Sequence, residues 1–269
     1  MIDDVTDIAA YYNSDPVREH CRLEQHQLEF DLTWRYLDEY LPSHGSILEV
    51  GAGTGRYTLE LVKRGFEITA VDLSSALLDE CRKRLAGEGL EKQVRLVQAD
   101  ARDLSEVREK YFDVVLLMGP LYHLVVEADR KAALKEAFDR LRKGGIIFSA
   151  FISRFGIMGD LIKNVPAWIE NEAEVRGLLE IGKDPEDYPK GGFRGYFTKV
   201  SEIVPFHEAL GFETLKVAGV EPAISADDES YNKLQGKQRS MWLDLLVEIS
   251  AEESIIGASR HLLYIGRKK

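Results

Sequence analysis

Apolar residues fall in two rhythms along this chain. In the first 155 residues, short β-rich runs alternate with stretches of helical spacing. The runs Ile47–Val50, Ile68–Asp72, Val94–Gln98, Asp113–Met118 and Ile146–Ile152 predict five strands. Two of them, within "FDVVLLM" and "GGIIFSAFI", are nearly continuous in apolar residues, which suits strands covered on both faces of a parallel sheet. Between the runs, "SSALLDECRKRLAG" predicts a helix capped by Ser74 or Ser75, with Leu77, Leu78, Cys81 and Leu85 on one side. "RKAALKEAFDRLRKGG" places Leu134, Phe138 and Leu141 at i, i+4 and i+7 and closes on basic residues and Gly144. Such alternation predicts a doubly wound α/β fold with right-handed crossovers.

The rhythm breaks after Phe155. Residues 156–197 read as a helical insertion after strand 5, with one or two helices and an ordered loop in "KDPEDYPKGGFRGYF". "VSEIVPFHEALGF" returns to helical spacing, and a further helix is expected around "QRSMWLDLLVEISAEES". "FETLKVAGVEP" and "RHLLYIGRK" predict two last strands. Residues 1–44 are amphipathic and helical. The expected division is therefore 1–44, 45–155, 156–197 and 198–269, the last part returning to the core sheet.

Composition narrows the function classes. The net charge of −11 gives no general attraction to a phosphate backbone, so nucleic acid is not the expected partner. Cys21 and Cys81 form no CxxC or zinc-like pair, and Cys81 sits on an apolar helix face. His20, Cys21 and His26 are close in sequence, but on one helix positions 20 and 26 face different ways, so no metal site is expected. No apolar stretch reaches membrane-spanning length, and "MIDDVTDIAAYYNSD" lacks a basic segment followed by an apolar run. A soluble, cytoplasmic protein is the expectation.

The chemistry gathers at four successive strand ends. In "SILEVGAGTGRYTLEL" the glycines stand at Gly51, Gly53 and Gly55, as G-x-G-x-G rather than the dinucleotide spacing G-x-G-x-x-G. Gly51 and Gly53 let a ligand lie against the loop, and Gly55 opens the next helix; a merely tight turn is the alternative. Asp72 lies 21 residues after Gly51, where a second strand tip can offer a carboxylate to both ribose hydroxyls. "DLSS" as a simple helix cap is compatible with that. In "VQADARDL", Asp100 and the amide of Ala101 can read an adenine edge, or form a surface turn. After the fourth strand, "LLMGPLYHL" brings Met118 and Gly119 beside the ligand, with Tyr122 and His123 at the mouth of the cleft.

These four motifs, with "LRKGGIIFSAF", resemble in order the class I S-adenosylmethionine-dependent methyltransferases over about residues 45–155. The nearest resemblance is to a small-molecule subgroup carrying "GPLYHL" and a helical insertion. It implies a seven-stranded Rossmann-like sheet whose last strand is antiparallel, with S-adenosylmethionine as cofactor. It accounts for the short glycine spacing, since that cofactor has no pyrophosphate to cradle. By the same resemblance, Glu49 and the loop Gly51, Ala52, Gly53 and Gly55 surround the methionyl part, Asp72 holds the ribose, and Asp100 and Ala101 hold the adenine. Leu73 and Arg102 flank its faces. "AAYYNSD" becomes a lid, where Tyr12 or Tyr11 reaches the cofactor or only packs its helix. Arg22 and Arg56 are candidate partners for the cofactor carboxylate or else surface residues.

Methyl transfer relies on alignment and desolvation, so a base is optional. His123 is the candidate base, with a structural or substrate-contact role as the alternative, and Tyr122 is a pocket wall. The acceptor is expected between the lid and the insertion. There Phe155, Trp168, Tyr188, Phe193, Tyr196 and Phe197 offer an aromatic wall or else form the insertion's own small core, and Arg194 offers a cation for a carboxylate or phosphate. Methylation of a small molecule is the leading function. Transfer RNA methylation, a nicotinamide oxidoreductase and a non-catalytic cofactor-binding module are the alternatives. The oxidoreductase is disfavoured by the glycine spacing and by the lack of a Tyr-x-x-x-Lys pair.

Overall fold

The amphipathic first 40 residues form three helices, α1 (Thr6–Ser14), α2 (Pro16–Gln25) and α3 (Gln27–Tyr40). The alternating half then runs β1 (Ser46–Val50), α4 (Arg56–Lys63), β2 (Glu67–Asp72), α5 (Ser75–Gly87), β3 (Val94–Gln98), β4 (Phe112–Leu117), α6 (Pro120–His123), α7 (Glu127–Arg140) and β5 (Leu141–Ser153). The insertion contributes α8 (Ile157–Asn164), a 3-10 turn (Pro166–Glu170) and α9 (Glu172–Ile181). The chain closes with β6 (Phe197–Thr198), α10 (Val200–Glu208), β7 (Phe212–Gly219), α11 (Asp228–Asn232), α12 (Gly236–Ile249), α13 (Glu253–Ile256) and β8 (His261–Lys268). This computed structural model describes residues 3–183, 194–224 and 227–269. The loop expected in "KDPEDYPKGGF", with Tyr188 and Phe193, lies outside the described residues.

The sheet order is β3-β2-β1-β4-β5-β8-β7, and the two-residue β6 pairs with β5 off that path. Strands β1 to β5 are parallel, while β8 runs antiparallel to both β5 and β7, so it alone is reversed among the seven. Side chains alternate between two cores, as the pleat requires. Ile47, Val114 and Ile146 pack with α3, α4, α5 and α12 on one face. Their chain neighbours Leu48, Val115 and Ile147 pack with α7 and α10 on the other. The near-continuous apolar runs follow from burial on both faces.

One boundary differs from the sequence reading. Leu141 does not continue the α7 stripe; the helix stops at Arg140 and Leu141 opens β5. Gly144 at φ +78° takes a backbone conformation inside that stretch which a side chain would strain. α5 begins as expected, with the Ser74 hydroxyl accepting from the Leu77 amide at 3.1 Å.

Candidate functional site

Strands β1 to β5 point their carboxyl ends at one edge of the sheet. The glycine turn is stitched to that edge: the amides of Gly51 and Ala52 both donate to the Val71 carbonyl, at 2.8 and 3.0 Å. Gly51 has φ +86°, and a Cβ there would meet the Met118 carbonyl oxygen at 2.2 Å and Pro120 Cδ at 2.7 Å. A Cβ on Gly53 would meet nothing within 4 Å, so that side of the turn faces open space. Gly55 answers to packing: its Cβ would strike Cys81 Sγ at 2.4 Å, and the residue is not on the cavity wall.

Two carboxylates border the turn, Glu49 buried and Asp72 half-buried. Glu49 is 1% exposed and accepts the Thr58 hydroxyl at 2.5 Å; burial pushes its carboxyl up to about 8. Asp72 accepts the amides of Gly53 and Ser74, at 2.8 and 2.9 Å, and burial pushes it up to about 6. Around the same cavity stand Ala52, Leu73, Asp100, Ala101, Met118 and Gly119. Arg102 does not join them. Its guanidinium is clamped by Asp100 and by Asp129 at 2.7 Å, and it also donates to the Asp3 carbonyl at 2.8 Å.

Helix α1 roofs the cavity with Val5, Ile8, Ala9 and Tyr12, and is pinned at both ends. Near its carboxyl end, Asn13 accepts from the Ser74 hydroxyl at 2.7 Å and the Ala76 amide at 3.2 Å. At its start, Arg194 pairs with Asp3 and Asp7 and donates to the Asp4 carbonyl at 2.7 Å. Tyr12 lies 2.8 Å from His123 Nε2, and His123 Nδ1 lies 3.3 Å from the Arg194 carbonyl. A carbonyl only accepts, so Nδ1 carries the proton and Nε2 accepts from the Tyr12 hydroxyl. Burial pushes His123 down to about 4, so the ring is neutral at pH 7. Arg56 lines the cavity and stacks on Phe30, and Arg22 lines it while paired with Glu19 at 2.7 Å.

A second cavity, of about 1640 Å³, adjoins the first. Tyr12, Glu19, Arg22, Tyr122 and His261 line both. Its outer wall is α8, the 3-10 turn and α9, including Trp168, with Phe197 and Gly195 from the returning chain. Arg194 and Tyr196 are not part of it. Arg194 is spent on the start of α1, and Tyr196 lies under the Arg130 guanidinium with its hydroxyl donating to Glu202 at 2.8 Å. Phe155 is exposed and also outside the wall.

At the junction of the two cavities lies a charged cluster that the sequence reading missed. Arg260 pairs with Glu221, Asp160 and Asp228, and its Nη2 lies 2.8 Å from His26 Nδ1. His26, Glu221 and Asp228 bring ligand atoms within 4.8 Å of one another, but the Arg260 guanidinium bonds all three and already supplies the cation. His261 holds Glu221 Oε2 through Nδ1 at 2.8 Å and through its amide at 3.0 Å. One signal pointed there: a reversed last strand starts at the edge where parallel strands end, and "RH" opens β8.

The comparisons bear on what the first cavity holds. A family described as "Methyltransferase domain" matches residues 47–145. The tRNA 5-carboxymethoxyuridine methyltransferase of Escherichia coli (strain K12) is 25% identical over 138 residues, 49% of this chain and 51% of that one. The carboxy-S-adenosyl-L-methionine synthase of Aliivibrio salmonicida is 30% identical over 182 residues, 62% of this chain and 74% of that protein. The chain belongs to the class I S-adenosylmethionine-dependent methyltransferases. The fold agrees: Burkholderia thailandensis 1,6-didemethyltoxoflavin-N1-methyltransferase, solved with its substrate and S-adenosylhomocysteine, superposes with a TM-score of 0.61 over 98% of this chain and 88% of that one, at 15% identity. The chain spans about half the length of the first curated relatives that it matches.

The residues fit the family's cofactor. Glu49, buried, and Asp72, half-buried, carry raised carboxyl pKa values, and a ligand's donor groups, such as an ammonium or ribose hydroxyls, would relieve that desolvation. The open side of Gly53 leaves room above the turn. Among the described residues, no helix is long and apolar enough to cross a membrane.

Proposed function

We propose that this protein transfers a methyl group from S-adenosylmethionine to a small-molecule acceptor bound in the second cavity. The observation that carries this reading is the union of two cavities through shared walls at Tyr12, Tyr122 and His261. The second is wider than the roughly 300–1,000 Å³ of common ligand clefts, so it accommodates a bulky acceptor. In this reading residues 1–44 supply the lid and 156–197 the cap, as in the small-molecule subgroup with "GPLYHL". Asp72 accepts from the ribose, Asp100 and the Ala101 amide meet the adenine beside Leu73, and Glu49, Gly51 and Gly53 border the methionyl part. Met118 and Gly119 line the first cavity beside the cofactor.

When bound, the cofactor supplies an electrophilic methyl carbon and keeps the carbon–sulfur electron pair on leaving as S-adenosylhomocysteine. The chain's own work is alignment and exclusion of water. Tyr12, oriented by neutral His123, and Tyr122 wall the junction from the lid side.

The transfer RNA reading draws on the Escherichia coli relative, and the net charge of −11 weighs against it. One experiment separates the readings. Methyl-labelled S-adenosylmethionine is incubated with cell extract, which is then split into metabolite, RNA and protein fractions. Label is expected in the metabolites; label in RNA would overturn the small-molecule acceptor. Calorimetry is expected to show S-adenosylhomocysteine binding without comparable NAD binding, and the reverse order would remove the methyl-transfer reading altogether.

A further inference from the structure

We propose that His261, oriented by Glu221, is the general base of this transfer, and that the acceptor is therefore one that must lose a proton from oxygen or nitrogen, a hydroxyl or a protonated amine. The inference rests on the methyl-transfer reading above. His261 is the first residue of the one reversed strand, which sets it at the ligand edge of the sheet. It lines both cavities, where an acceptor atom has to approach the methyl carbon.

The hydrogen bonds fix which ring nitrogen is available. Glu221 is 1% exposed, and burial would raise its carboxyl. His261 and Arg260 outweigh that and hold it well below the usual carboxylate range. An ionised carboxylate only accepts, so His261 Nδ1 carries a proton, and in the neutral ring Nε2 is the nitrogen with the lone pair. Among the described residues no hydrogen bond engages Nε2. His123 differs: both of its nitrogens are taken, by Tyr12 and by the Arg194 carbonyl.

The charges facing His261 favour its base strength. Glu221 follows β7, Glu29 reaches in from α3 at 3.9 Å, and Arg260 precedes it with His26 and Asp228 beyond. Burial alone would lower the imidazole, but Glu29 and Glu221 overcome both that and Arg260, and raise it above its ordinary 6.5. A stronger base draws the acceptor's proton more readily. Nε2 takes the proton that the acceptor sheds as the acceptor's electron pair forms the bond to the methyl carbon. The resulting imidazolium is held by Glu221 until the proton leaves to solvent through the second cavity.

The test has two arms on the full chain. In the first, histidine-labelled protein is titrated by NMR, with the His261 signal assigned by its loss in His261→Gln. It is expected to titrate above pH 6.5 in the wild type and at lower pH in Glu221→Gln. A signal titrating below 6.5 and unmoved by Glu221→Gln would overturn the proposal, with no turnover needed. In the second, label transfer into the metabolite fraction is expected to fall about 100-fold or more in His261→Gln. Imidazole should partly rescue His261→Ala, while S-adenosylhomocysteine affinity stays within about threefold (about 0.6 kcal/mol). An undiminished rate in His261→Gln would sink the base and leave methyl transfer standing. Failure of the wild type to bind S-adenosylhomocysteine would sink methyl transfer itself.

Discussion

The two cavities of this protein touch, yet they are built differently. The first is assembled largely from strand ends and the residues just after them, so its groups arrive in sequence order: Glu49, Gly51, Asp72, Asp100, Met118. The second gathers α2, α6, α8, α9, α11 and the start of β8, and its groups are locked by ion pairs between distant segments. Arg260 reaches His26 across 234 positions, and Arg194 reaches Asp7 across 187. A cradle made by backbone turns depends on steric fit. A chamber made by converging side chains depends on charge pairing and burial.

That contrast can be broken at its strongest point first. Gly51→Ala would drive a Cβ into the Met118 carbonyl at a strained φ, so a loss of about 4 kcal/mol is expected. Gly53→Ala, with open space beside it, should cost only about 1 kcal/mol of backbone strain while weakening cofactor binding. Urea unfolding and calorimetry measure the pair. Equal costs at both positions would mean that packing against Met118 does not set the turn.

The two carboxylates beside the glycine turn give the next effect. An acid whose folded pKa is raised contributes without penalty below its unfolded value, here 4.5 for Glu49, and loses stability as pH climbs to about 8. Asp72 acts in the same direction from 3.8 to about 6. The ligand-free protein should therefore weaken from pH 4.5 to 8, by on the order of 4 kcal/mol from Glu49. Urea midpoints across that window should flatten in Glu49→Gln. A wild-type profile that rises over the same window would contradict the desolvation account.

Helix α1 belongs to the charge-paired half. Arg194→Ala should leave Asp3 and Asp7 without their cation and cost about 2 kcal/mol, read by thermal unfolding, with weaker S-adenosylhomocysteine binding through a loosened α1. A loss confined to acceptor affinity would instead return Arg194 to the acceptor wall. Tyr12→Phe is the mildest change. It removes one hydrogen bond to His123 and should cost about 1 kcal/mol, seen as a roughly fivefold drop in S-adenosylhomocysteine affinity. No change at all would show that the hydroxyl orients nothing.

Legibility followed the same divide. The strands and the cofactor motifs could be read because each is a local pattern: an apolar run, then a turn residue, then a polar group at the strand tip. Arg102 and Gly55 carry motif positions, but what they do was decided by neighbours remote in sequence. Asp129 captures Arg102, and Cys81 fills the space that a side chain at Gly55 would need. Arg194 beside three aromatics looked like a ligand cation, because its acidic partners lie 187 or more residues away at the other end of the chain.

The sequence by itself determined the doubly wound core, the reversed last strand expected from the family resemblance, and the order of strand-end groups along the first cavity. Hydrophobic period and turn chemistry act over a few residues, and a parallel sheet lines up its strand ends automatically. Only the tertiary structure decided that Glu221, Arg260 and His261 meet at the junction, that Arg194 serves the lid, and that His123 is neutral and fully engaged. Burial and pairing between remote charges set those roles, and neither is written in any local stretch of the chain.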